Sequence, residues 1–201
     1  MPRNRMEAFS DGVLAIIITI MVLELELPKA MTWEAVREVL HLFIAYVLSY
    51  FYIGIYWTNH HHLVSTIKSA SGKILWSNLH WLFWMSLIPI ATKWIGQEPF
   101  HKISTFFYGF ILLMCALTYH LLQTSIIKSD GVNSSLAKMI GKDRKGMLSI
   151  LSSVVAMLIA LILPAIAYLI FLAAILLWIV PDIRIEKGIS PGTRSDRHSD
   201  S

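Results

Sequence analysis

Cysteine is nearly absent from this chain. The single Cys115 lies inside an apolar run, which excludes an intrachain disulfide and a cysteine metal cluster. Charge is also scarce: charged residues make up 15% of the 201 residues against 56% hydrophobic, and the mean hydropathy is +0.61. That is too little charge to solvate the surface of a water-soluble domain. A glycine-rich nucleotide loop, a nucleophile and base at sequence-recognisable spacing, and a histidine, cysteine or carboxylate set at metal-ligand spacing are all missing, so an enzyme is not expected. Arg3 and Arg5 precede the first apolar stretch, but Glu7 and Asp11 intervene and no small-residue cleavage site follows. The first hydrophobic segment is therefore expected to stay in the mature protein.

What the chain has in abundance is long apolar stretches, at 8–27, 38–64, 75–95, 103–127, 147–163 and 165–181. About 20 apolar residues cross the roughly 30 Å hydrocarbon core of a bilayer, so the expected fold is an all-α integral membrane protein with six transmembrane helices. The last two stretches form one nearly continuous run from Met147 to Val180, and Pro164 is the natural break, giving two short helices and a tight turn. With both termini cytoplasmic, thirteen of the seventeen lysines and arginines fall inside, and only Lys29, Arg37, Lys93 and Lys102 fall outside. This satisfies the positive-inside rule. The net charge of +4 and pI near 9.2 then reflect basic cytoplasmic loops beside anionic lipid rather than nucleic-acid binding. Residues 1–187 read as one transmembrane domain and 188–201 as a disordered cytoplasmic tail. Leu27-Pro28-Lys29 is expected to end the first helix, Thr32 to cap the second, Pro89 to kink the third and Gly96 to Pro99 to close it.

The first helix is the unusual one. On a helical wheel Gly12, Ile16, Thr19, Ile20 and Leu23 share a stripe about 100° wide, and Asp11 points away from it. Ser10 and Asp11 stand near the membrane entry, where an isolated carboxylate is costly. They either bond to partners in the bundle, with Arg5, Trp57, His60, His61 and Asn78 as candidates, or cap the helix and complement its dipole. The run His60-His61-His62 does not read as a metal site, since adjacent helical side chains diverge by about 100°. One or two of these histidines are expected to bond to Asp11, Ser10 or Asn78, with the third meeting cytoplasmic water.

Arg5-Met-Glu-Ala-Phe9-Ser10-Asp11, running into an Ile-Ile-Ile-Thr helix, resembles the R-x-x-x-F-S-D signature of the transmembrane protein 175 family, potassium channels of endolysosomes and prokaryotes. Trp57-Thr-Asn-His60-His61 resembles the family's W-x-x-H-H stretch, and Asn78 with Pro89 resembles its third helix. The resemblance implies a prokaryotic, single-repeat member in the plasma membrane, assembled as a homotetramer, with the first helix lining a central pore. It further implies a constriction and gate at Ile16, Ile20 and Leu23, selectivity at Thr19 and Ile16, and a structural network of Arg5, Phe9, Ser10, Asp11, Trp57, His60, His61 and Asn78. Potassium is the expected permeant ion, and no cofactor or metal is expected. Without the resemblance, an apolar stripe of this kind more often serves packing than permeation, and the resemblance reverses that preference.

The lack of a T-V-G-Y-G segment leaves no backbone-carbonyl filter in its usual sequence form, so only modest potassium over sodium selectivity is expected. Glu24 and Glu26 would concentrate cations at the outer mouth, or simply form a solvated helix end. A secondary transporter would call for charges in the middle of several helices or paired broken helices, which are scarce here. A non-conducting membrane assembly protein is the other alternative.

Overall fold

The computed structural model describes residues 1–67, 69–130 and 144–179. The expected disordered tail at 188–201 and most of the basic loop between the fourth and fifth apolar stretches lie outside these residues. The described chain forms seven helices: α1 Arg3–Leu23, α2 Trp33–Ser65, α3 Gly72–Met85, α4 Ile88–Gln97, α5 Lys102–Asp130, α6 Arg144–Ala160 and α7 Pro164–Ile179. An isolated bridge between Pro2 and Ser69 is the only β-type pairing among the described residues. Four segments are long and apolar enough to cross a membrane: α1, α2, the α3–α4 pair taken together and α5. α6 and α7 are shorter apolar helices, each about 25 Å long at 1.5 Å per residue.

Several boundaries differ from the sequence expectation, each for a physical reason. α1 starts at Arg3 and stops at Leu23, before Pro28, because Glu24 and Glu26 both reach α4 and a continuing helix would point them about 200° apart. α2 begins at Trp33, with Ala35 N donating to Thr32 Oγ1 at 3.3 Å as the expected cap. Its first turn carries Glu34 and Arg37, which hydropathy alone discards. At 33 residues it is about 50 Å long and extends beyond a roughly 30 Å hydrocarbon layer.

The third apolar stretch is broken rather than kinked. α3 ends at Met85 and α4 begins at Ile88, with Pro89 in its first turn. Pro89 has no N–H to give Met85, and its ring would meet that carbonyl. Helix 96–99 closure is as expected: α4 ends at Gln97, and Phe100 takes φ 59° in the reversal. Pro164 stands at the first position of α7, and Leu163 N bonds to Ile159 O at 2.8 Å in the turn before it. A proline at that position forfeits no helical bond.

α1 packs against α2, α3 and α4, while α5 joins α3 and α4 to the α6–α7 hairpin and α2 also meets α7. The core is threaded by a hydroxyl relay. Tyr108 Oη lies 3.0 Å from Ser49 Oγ, and Thr92 Oγ1 lies 2.7 Å from Ser49 Oγ and 2.8 Å from Ile88 O. Thr92 has one proton, placed between two acceptors, Ser49 Oγ and Ile88 O, and either Tyr108 or Ser49 can donate in the bond between them. The relay ties α5, α2 and α4 together without leaving a polar group unsatisfied in an apolar interior.

α2 and α4 approach closely at Gly96. A Cβ there would stand 2.8 Å from Leu42 Cα and 2.7 Å from Leu42 Cδ1, whereas one at Gly54 meets nothing within 4 Å. Gly96→Val should therefore cost about 1–3 kcal/mol, as overpacking does, and lower the thermal unfolding midpoint in detergent. Gly54→Ala should leave it unchanged or raise it.

Candidate functional site around the first helix

α1 has two faces with different fates. Met6, Ser10, Leu14, Ile17 and Met21 are buried against α2–α4. On the other side Gly12, Ile16, Thr19, Ile20 and Leu23 are all exposed on the single chain, Ile16 by 58% and Leu23 by 83%. The stripe found on the wheel is thus the face that α1 does not pack within its own bundle. From Ile16 to Leu23 it rises about 10 Å. Thr19 Oγ1 donates to Ile16 O at 2.8 Å, so its one proton is engaged in the helix and its two lone pairs remain free to accept.

The buried face carries a directional hydrogen-bond chain. Ser10 Oγ donates to Met6 O at 2.9 Å, and Asn78 Nδ2 donates to Ser10 Oγ at 2.9 Å. Asn78 Oδ1 is then the acceptor facing His60 Nε2 at 2.9 Å, which places a proton on that nitrogen. The His60 ring stacks on Trp81 with centroids 4.8 Å apart and planes 14° from parallel. Ser10, His60, Asn78 and Trp81 are all almost fully buried, so this chain bridges α1, α3 and α2 inside the bundle.

A second set lies nearer the surface. Trp57 Nε1 donates to Asp11 Oδ1 at 3.0 Å, and His61 Nδ1 donates to Glu7 Oε1 at 2.8 Å. Glu7 and Asp11 are one turn apart on α1, as Trp57 and His61 are on α2, so the two pairs are successive rungs between antiparallel helices. Arg3 lies 3.9 Å from Glu7 and donates to Ser65 O at 2.8 Å.

Six of the eight expected network residues thus meet partners: Ser10, Asp11, Trp57, His60, His61 and Asn78. Arg5 and Phe9 do not. Both are exposed, Phe9 by 54%, because the α1 register turns them away from the face holding Met6 and Ser10. Ser10 and Asp11 are not caps either, since the helix begins two turns earlier, at Arg3. The histidine run diverges: His60 points into the bundle, His61 takes Glu7, and half-buried His62 meets the His61 ring edge-on at 5.6 Å. Glu7 escaped the sequence reading as a network residue. The signal for Glu7 was its one-turn spacing from Asp11, matched by the Trp57 to His61 spacing.

At the other end of α1, Glu24 pairs with Lys93 and Glu26 accepts from Gln97 Nε2 at 3.2 Å. Glu24 is therefore not a free carboxylate. A partly open cleft of about 50 Å³ lies among α2, α5, α6 and α7, with Tyr56, Asn59 and Ser149 in its walls, and α1 contributes nothing to it.

Residues 5–89 match the family model of the endosomal/lysosomal potassium channel TMEM175. Among curated proteins, a potassium channel of Chryseobacterium sp. (strain P1-3) is 47% identical over 189 residues, covering 94% of this chain and 98% of the relative. A potassium channel of Streptomyces collinus is 29% identical over 148 residues, 67% of this chain and 72% of that one. Among solved structures, that of a lysosomal potassium-selective channel TMEM175 homolog from Chamaesiphon minutus superposes with a TM-score of 0.74 at 23% identity, covering 89% of this chain and 96% of the other. The near full-length relationship to the Chryseobacterium protein and the match over the helices that carry the α1 network lead to one conclusion: this chain, a multi-pass membrane protein, belongs to the TMEM175 family.

Proposed function

We propose that this chain is a potassium-permeable channel, assembled as a homotetramer in a prokaryotic plasma membrane with six spans per chain and both termini in the cytoplasm. The names of its relatives and family support potassium as the permeant ion. The observation that carries the pore-lining reading is the unpartnered face of α1, where Ile16, Thr19, Ile20 and Leu23 are exposed although the opposite face of the same helix is tightly bonded. A lone α1 encloses no path, so the permeation route needs further copies.

Four copies of this face around one axis would stack three apolar rings over about 10 Å. A pore that narrow and apolar excludes liquid water when shut, and slight widening admits a partly hydrated cation. Thr19 would add a ring of hydroxyl oxygens among the apolar ones. The polar bonds at Ser10 and Asp11 hold α1 from behind, which lets its front face move as a unit. Selectivity in this arrangement comes from the width of the rings and the Thr19 oxygens and is therefore modest.

In liposomes carrying a potassium gradient, the purified protein should pass potassium faster than sodium. Ile16→Asn should raise ion leak severalfold and reduce the preference, because an amide hydrates the ring that dewetting would close. Absence of cation flux in both proteins contradicts the reading, and saturating, ion-coupled uptake points to a transporter instead. Thr19→Val keeps the shape and removes the oxygen, so the ratio of potassium to sodium flux should fall while total flux persists. Asn78→Leu leaves the buried His60 Nε2–H without its acceptor, while Ser10 keeps its bond to Met6 O, and should destabilise the protein by about 1–3 kcal/mol. A lowered thermal midpoint in detergent reads this out.

A further inference from the structure

The outer end of α1 is fastened to α4 by two rungs, Glu24 to Lys93 and Glu26 to Gln97. Lys93 and Gln97 are one turn apart on α4, about 6 Å along the axis. Glu24 is the C-cap residue of α1, with its N–H on Ile20 O, and Glu26 lies two positions on, past the end of the helix. Lys93 Nζ meets Glu24 Oε2, and Gln97 Nε2 donates to Glu26 Oε1 at 3.2 Å. Just inside this ladder, Thr92 of α4 approaches Met21 of α1, with Oγ1 and Sδ 3.8 Å apart. Leu23, the last residue of α1 and the most exposed member of its apolar stripe, lies between these two holds.

The two rungs differ in charge. Lys93 cancels the carboxylate of Glu24, whereas neutral Gln97 leaves the charge of Glu26 intact. We infer that Lys93 is a positioning and charge-setting residue for permeation: it fixes the Leu23 end of α1 against α4 and removes the Glu24 charge from the outer mouth, leaving Glu26 as the ring that faces entering cations. This rests on the channel reading above. It explains why α4 is a separate short helix, since the break ahead of Pro89 lets α4 set its own direction toward the end of α1.

The sign of the charge change gives a test that a merely structural contact would not meet. Per subunit, the pair carries no net charge in the wild type, −1 in Lys93→Met, +1 in Glu24→Gln and none in the double variant. Single-channel potassium conductance in planar bilayers at about 0.01 M salt, where the Debye length is ~30 Å, should rise on the order of twofold in Lys93→Met. It should fall on the order of twofold in Glu24→Gln and return close to wild type in the double variant and in Lys93→Arg. At about 1 M salt, with a Debye length of ~3 Å, all five conductances should converge. Size-exclusion chromatography of each variant shows that the assembly is retained, and the double variant provides a charge-neutral reference should a single change misfold. Conductance shifts of the same direction in both single variants, or shifts that persist unchanged at high salt, overturn the inference while leaving the channel intact. A wild-type protein that conducts nothing in either salt overturns the channel reading, and the inference with it.

Discussion

The architecture depends on the buried bridge from His60 through Asn78 to Ser10. In a bilayer, lipid tails are as apolar as leucine, so helices gain little from hiding hydrophobic surface against one another and associate by close packing and polar bonds. A helix such as α1, which leaves one face exposed on the single chain, has less packing surface than a central helix. The bridge compensates by joining three buried polar side chains through hydrogen bonds from His60 Nε2 to Asn78 and from Asn78 to Ser10, where a lost partner would cost about 1–3 kcal/mol. The Asp11–Trp57 and Glu7–His61 rungs add a second line of attachment on the same side. Rotating α1 about its axis would break all of these together, so the bridge also sets which residues face outward.

This explains why polar and apolar residues alternate in function along one short sequence. Ser10 and Ile17 face the bundle and Gly12, Ile16 and Ile20 face away, with only helical periodicity to separate them. The same periodicity made the two faces legible in the sequence, along with the apolar helices, the Thr32 cap and the break at Pro164. Which face would remain open was not legible from hydropathy, because Ile16 and Ile17 are the same residue type. That difference is set by Asn78 and His60, which are distant in sequence.

What escaped the sequence shares a physical character: it depends on pairings between elements rather than on patterns within one. Lys93 lies in an apolar stretch and reads as a stray outer charge until α4 is placed beside Glu24. Arg5 and Phe9 belong to the same signature as Ser10 and Asp11, yet their register turns them outward on the single chain. The separation of α3 from α4 needed the position of Met85, whose carbonyl Pro89 cannot serve. The limits of α1 and α2 shifted because hydropathy marks where a helix is apolar, and both helices continue through, or stop short of, charged residues for reasons of bonding.

In the proposed channel the open face of α1 meets its own copies around an axis. A spin label at Ile16→Cys in a Cys115→Ala background, reconstituted in bilayers and read by pulsed dipolar spectroscopy, tests it directly. The account predicts two short inter-subunit distances in the ratio of a square's side to its diagonal, with the label shielded from lipid-dissolved oxygen. A label that is open to oxygen and shows no inter-subunit distance would mean that this face looks out on lipid, and would contradict the account.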